Sequence, residues 1–292
     1  MHPLLQNSFG SRPAVVQDDV HAEGIVSIAY ASEARTMVVA LGNGQLLLLD
    51  RTGLQLQRER GYSKLISIVW SDDGMFGAAA LQGGKLVCFD RSLRARWKVD
   101  LTGEILGLAI SPFGSHIAVS SEMGRTYIVT SDKKEICRFD TPRPLNYLQF
   151  LHESPRLIGA AEFGHLCCHS LNGREEWNER TLNNVGSLSV SGCGKQILLA
   201  AFNHGIQVLD EYGKQQGSFM PDGIPNYAVS CATRRRIAAT TLEQRLYWLN
   251  AEGSVLWAGE LAREPVVDIA VDALGDRLYV ATSAGRLMQL SW

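Results

Sequence analysis

Apolar and polar residues alternate in short runs along this chain, and the runs return at a fixed interval. Val26-Ser27-Ile28-Ala29-Tyr30 is followed by Ile66-Ser67-Ile68-Val69-Trp70, Leu106-Gly107-Leu108-Ala109-Ile110, Gly186-Ser187-Leu188-Ser189-Val190 and Val267-Asp268-Ile269-Ala270-Val271. A period of two marks a half-buried strand. Each run leads into a turn: Ser71-Asp72-Asp73-Gly74, Ser111-Pro112-Phe113-Gly114, Ser191-Gly192-Cys193-Gly194 or Asp272-Ala273-Leu274-Gly275. Glycine supplies the positive φ such turns need, and Ser, Asp and Pro suit the preceding positions. A strand of small residues comes next, such as Ala78-Ala79-Ala80-Leu81 or Ile197-Leu198-Leu199-Ala200-Ala201. A second glycine opens a third strand, as in Gly44–Asp50, Gly84–Asp90, Gly124–Val129, Gly164–His169 and Gly285–Leu290. A more polar fourth strand closes the unit, with Trp97, Trp177 and Trp257 at one repeat position.

Units begin near residues 25, 65, 105, 145, 185, 225 and 265, so one repeat is about 40 residues long. Four short strands per repeat, seven times over, predict an all-β fold: a seven-bladed β-propeller of four-stranded antiparallel blades. The last unit ends at Trp292, after its third strand. Pro13-Ala14-Val15-Val16-Gln17-Asp18-Asp19 stands where a fourth strand precedes the next unit, so it is expected to complete the last blade and close the ring. Residues 1–12 then form a tail with no slot in the ring, and residues 13–292 a single propeller. Helical periodicity is absent.

The pattern resembles the WD40 and quinoprotein-like propeller superfamilies from Pro13 to Trp292. Ser-x-x-Gly turns are similar to those between the first two strands of WD40 blades. Leu171-Asn172-Gly173-Arg174-Glu175-Glu176-Trp177 and Leu249–Trp257, in which Gly precedes Trp by four, resemble the quinoprotein repeat. The signature Gly-His and Trp-Asp dipeptides are missing from the positions they hold in standard WD40 repeats, which makes the chain a divergent member. Such motifs specify a blade, not a function.

The chain has 292 residues, 46% hydrophobic and 20% charged, with a formal charge of −2. That balance recommends neither nucleic acid nor an anionic membrane as partner. The first ten residues lack the basic start and apolar run of a signal peptide, and no stretch is long and apolar enough to span a bilayer. Cys88, Cys137, Cys167, Cys168, Cys193 and Cys231 are scattered, unlike a secreted disulfide framework. A cytoplasmic protein with reduced thiols is expected.

Vicinal Cys167-Cys168 are similar to the active-site disulfide of pyrroloquinoline quinone alcohol dehydrogenases, which are eight-bladed, exported and calcium-dependent. Here the pair fills third-strand positions that hold Leu47-Leu48 and Tyr127-Ile128 in sister blades, so packing is the expected role. His165, Cys167 and His169 share a strand face and invite a zinc reading, yet no fourth ligand is evident. Propeller enzymes build sites from enlarged loops, and the even spacing here leaves little loop to build with. No catalytic residue, cofactor or metal is expected.

Binding is the remaining expectation, through protein partners rather than a small molecule. One face gathers the turns between first and second and between third and fourth strands. It carries Arg51, Arg91, Arg94, Arg96, Lys133, Lys134 and the run Arg234-Arg235-Arg236, suited to an acidic protein or, less well, to RNA. The opposite face gathers the blade-to-blade connections, with apolar residues a blade does not need: Tyr62, Leu101, Phe163, Phe202, Met220 and Ile224. Aromatics and Met favour interface cores, making this the first choice of partner face. Leu4, Leu5 and Phe9 of the tail could dock on the propeller or on a partner. The chain thus reads as a scaffold or adaptor subunit of a larger assembly. The alternative is a small-ligand or cofactor-binding, quinoprotein-like propeller, enzymatic or not, with its site in the central channel; the polar first-strand residues Ser27, Ser67, Ser187 and Asp268 are compatible with either reading.

Overall fold

A computed structural model describes residues 5–180, 183–233, 235–261 and 264–292. The fold is all-β, a seven-bladed β-propeller of four-stranded antiparallel blades. Two strands precede the first blade, β1 (Leu5–Gly10) and β2 (Ala14–Val20). Blade one is β3 (Ile25–Ala31), β4 (Thr36–Leu41), β5 (Leu46–Asp50) and β6 (Gln55–Glu59). Blade two is β7 (Leu65–Trp70), β8 (Phe76–Leu81), β9 (Lys85–Asp90) and β10 (Ala95–Asp100). Blade three is β11 (Ile105–Ile110), β12 (His116–Ser121), β13 (Arg125–Thr130) and β14 (Glu135–Asp140). Blade four is β15 (Tyr147–Phe150), β16 (Arg156–Ala160), β17 (Leu166–Ser170) and β18 (Glu175–Glu179). Blade five is β19 (Val185–Val190), β20 (Ile197–Ala201), β21 (Gly205–Leu209) and β22 (Gln215–Phe219). Blade six is β23 (Pro225–Ser230), β24 (Arg236–Thr241), β25 (Arg245–Asn250) and β26 (Val255–Leu261). Blade seven is β27 (Val266–Val271), β28 (Arg277–Thr282) and β29 (Arg286–Ser291). First strands therefore open within two residues of every predicted repeat start. Among the described residues there is no helix, hence none long and apolar enough to cross a membrane.

By contacts the chain divides into residues 26–182, which hold the first four blades but for Ile25, and residues 1–25 with 183–292, which hold the other three. In the first unit, second strands are buried from their second residue onward, because small side chains let neighbouring blades meet. Blade two shows why. Phe89 stacks on Trp70 at 5.7 Å, and a Cβ on Gly77 would stand 2.2 Å from the Phe89 ring. The predicted Ser-x-x-Gly turns close as expected, with Gly74 N donating to Ser71 O at 2.9 Å and Gly114 N to Ser111 O at 2.8 Å. Successive blades are stitched there: Glu33 N and Ala34 N donate to Asp72 O, and Asp73 N to Pro112 O. The tryptophan position adds a second stitch. Trp97 Nε1 donates to Ser131 O at 2.7 Å, and Cys137, its counterpart one blade on, sets its thiol on Leu171 O.

In the second unit the same turns recur, with Gly192 N on Ala232 O and Thr233 N on Ala273 O. The predicted closure is present: β2 pairs antiparallel with β29, from Ala14 opposite Ser291 to Val20 opposite Arg286. Arg286 fixes this seam, its Nε 3.1 and 3.0 Å from the Glu264 carboxylate oxygens and its Nη1 on Asp18. The tail differs from expectation. Residues 5–10 do have a slot: β1 pairs with β26 and makes blade six five-stranded. Leu5 is only 5% exposed, packed with Trp257 and Leu261. Trp292 seals the junction by stacking on Trp248 at 4.4 Å and donating Nε1 to Ser11 O at 2.7 Å.

Candidate interaction surface

The residues singled out for binding divide by burial. Tyr62 is 3% exposed; its hydroxyl donates to Leu93 O at 2.6 Å and its ring meets Phe89 edge-on, so it belongs to the core of blades one and two. An aromatic in a connection was misleading because the connection itself folds over the blade. Leu101 is half-buried, with its N–H on Gly84 O. Phe163 is exposed under the Arg143 guanidinium, 5.2 Å from the ring centre. Leu5 is a core residue for the reason given above, whereas Phe9 on the same strand is 59% exposed. Leu4 and Arg234 lie outside the described residues.

The basic run is less available than its spelling suggests. Arg235 is exposed, but Arg236 opens β24 half-buried, its Cβ and Cγ lying against Gly275 and its Nη1 donating to Arg235 O. Elsewhere on that side, Arg96 pairs with Asp132 and covers the Phe76 ring, while Lys133 Nζ donates to Lys98 O. These cations have local partners.

A different cluster forms where blades five and six meet, at the end that carries their blade-to-blade connection. Met220 is 71% exposed and sits at the exit of β22, its Sδ over Gly205. Ile224 O accepts from Leu242 N at 2.9 Å, which binds two exposed apolar side chains to one backbone contact. Glu243 locks the same pair of turns by accepting from Ile224 N at 2.9 Å. Phe202, half-buried over Gly186, lies one blade back from Leu242 at the same turn position. Sequence reasoning named Met220, Ile224 and Phe202 and missed Leu242. The signal was there: its counterparts in blades two to four are Gln82, Glu122 and Glu162.

The rim of this cluster is acidic. Arg245 contacts Asp222 and stands 3.3 Å from Glu260, and Tyr247 donates its hydroxyl to Asp222 O at 2.7 Å. Glu243, bonded to Ile224 N, adds a third carboxylate to the rim. Beside them a cleft of about 260 Å³ is lined by Asn7, Phe9, Arg245, Tyr247, Ala258, Gly259 and Glu260.

Groups considered for chemistry lie inside. Cys167 and Cys168 are fully buried and unbridged, and burial pushes each thiol up to about 12. A thiol held so far above its ordinary range carries almost no thiolate near neutrality. Burial lowers the pKa of His165 and of His169, and Phe139 stacks on His169 at 3.9 Å. Among the described residues, no group of three or more His, Cys, Asp or Glu could hold a metal ion. First-strand hydroxyls are occupied structurally: Ser187 Oγ accepts from Ala228 N at 2.9 Å and Ser189 Oγ from Ser230 N at 3.1 Å.

No family model matches the chain, and no curated protein matches it in sequence. The resemblance to WD40 and quinoprotein repeats therefore rests on the turn and strand motifs alone, and the seven-bladed fold stands without it.

Proposed function

We propose that this chain is a non-catalytic protein–protein interaction scaffold, a cytoplasmic subunit or adaptor that holds partners within a larger assembly. The observation that carries the reading is the group of exposed apolar side chains Met220, Ile224 and Leu242 at one end of blades five and six, the last two joined by a backbone bond. Aromatic and Met side chains ringed by polar groups have the composition of an interface core. The acidic rim of Asp222, Glu243 and Glu260 selects a partner surface that is apolar at its centre and basic at its edge. Two facts weigh against catalysis. Connections between successive described strands never exceed six residues, as at 141–146, so no enlarged loop frames a site. Buried Cys and His groups are also shifted toward their neutral forms, away from nucleophile or acid.

The test is affinity purification of the tagged chain from its native host, beside a Met220→Asp, Leu242→Asp variant. Both side chains are exposed, so the fold stays intact. A stoichiometric partner held by the parent and lost by the variant is expected. An unchanged set of partners would overturn the assignment of this surface.

A further inference from the structure

The outermost strand of each blade presents unpaired main-chain groups, and proteins guard such edges with charge or with cover. Five of the seven outermost strands are guarded by charge. Arg58 and Glu59 stand on β6; Arg96, Lys98 and Asp100 on β10; Glu135, Arg138 and Asp140 on β14. Three glutamates line β18, and Asp18 and Asp19 close β2. Blade six is guarded by cover. Its fourth strand β26 has one charge, Glu260, and β1 lies over it. The edge of β1 is itself uncharged but is broken by a bulge between Gln6 and Phe9, with Asn7 at φ 48°. Blade five has neither device. Its outer strand β22 reads Gln215-Gln216-Gly217-Ser218-Phe219, with no charge, and nothing among the described residues pairs with its outer edge. A bulge at Gln216 is shared with the charged fourth strands; from Gly217 to Phe219 the register is regular.

We infer that β22 is the homodimerisation edge of this protein, pairing antiparallel with β22 of a second copy about a two-fold axis at Ser218. The occupant follows from charge. An antiparallel self-pairing centred on Ser218 sets Gly217 opposite Phe219 and brings Lys214 of each copy toward Asp222 of the other. Lys214 is exposed and the Asp222 side chain is 82% exposed, although each also has a contact within its own copy. The one cation flanking the strand thus meets the other copy's carboxylate at both ends. Open space around Gly217, which has no atom within 4 Å of a built Cβ, lets a second backbone approach. The two blades would merge into one continuous eight-stranded sheet. This inference does not depend on the partner surface proposed above, although it draws Met220 and Asp222 of that surface to the seam.

The experiment is sedimentation velocity on the full chain from about 1 μM to about 1 mM. A dimer that grows with concentration is expected, and hydrogen exchange at amides 215–219 should slow with it. Ser218 is exposed, so Ser218→Lys and Ser218→Glu leave the blade folded but place like charges across the axis. Each variant alone is expected to stay monomeric, and an equimolar mixture of the two to recover the dimer. A parent that is monomeric throughout overturns the inference. So does a dimer that survives both substitutions, or one whose β22 amides exchange at the monomer's rate.

Discussion

Leu5 offers the sharpest test of whether the N-terminal strand is part of the propeller. Its side chain is 5% exposed, in a cluster with Trp257, Leu261 and Leu246, and its backbone faces Leu261 across the β1–β26 pair. Truncating a buried leucine to alanine costs about 2–5 kcal/mol, from lost transfer energy and the cavity left behind. β1 is a peripheral strand that can settle toward the gap, so the low end, about 2 kcal/mol, is expected for Leu5→Ala. At roughly 2–4 °C per kcal/mol for a domain of this size, the melting temperature should fall by about 4–8 °C. Phe9→Ala is the control: larger in volume but 59% exposed, it should change stability by no more than about 0.5 kcal/mol. Thermal and urea unfolding of the two variants against the parent measure both. Equal effects, or a silent Leu5→Ala, would mean that β1 contributes no core and that residues 5–10 are only a tail. Gly10 makes the strand's placement specific. At φ +85° its Cβ would lie 2.2 Å from Leu256 O, so no other residue lets the chain leave β26 along this path.

Two further outcomes test the seams. Arg286→Ala removes the guanidinium that Glu264 and Asp18 share across the closing strand pair, in a site where Arg286 is 17% exposed; a loss of about 2–4 kcal/mol is expected, with partial recovery in Arg286→Lys. An unfolding midpoint that does not move would show that the seam is held by backbone pairing alone. His152 in blade four bonds Asp72 in blade two, and that carboxylate raises the histidine's pKa, with Glu33 and Glu153 adding to the effect and burial opposing it. A raised folded value means the contribution is full below the ordinary range near 6.5 and disappears as pH rises through the folded value. Denaturant midpoints measured from about pH 5 to about pH 8.5 should therefore fall with pH in the parent by more than in His152→Ala; parallel curves would show that the pair contributes nothing.

The blades were legible because a propeller writes itself into sequence once per blade, and seven copies average out local exceptions. First strands, glycine turns, small second strands and the closing role of residues 13–19 all follow from periodicity and turn chemistry, which are local properties. Burial of individual loop residues is not local. Tyr62 and Met220 both lie in blade-to-blade connections, yet one is sealed by Phe89 and Leu93 and the other stands in solvent. No window of sequence separates them, because the deciding neighbours come from the next blade. Arg236 looked like surface charge for the same reason.

The fifth strand of blade six falls between these cases, and it shows where a periodic reading loses information. Nothing in Leu5–Gly10 announces a strand partner: the segment is short, uncharged and outside the repeat. Its target did carry a signal. Fourth strands elsewhere place Arg58, Lys98, Arg138 or Asn178 at the position of Ala258, and β26 alone reads Trp257-Ala258-Gly259-Glu260-Leu261. An outer strand can be that apolar only if something covers it. Comparing blades for their differences, after using their likeness to find them, points to a missing cover on β26. Applied once more, it leaves β22, uncharged and uncovered among the described residues, as the edge assigned above to a second copy.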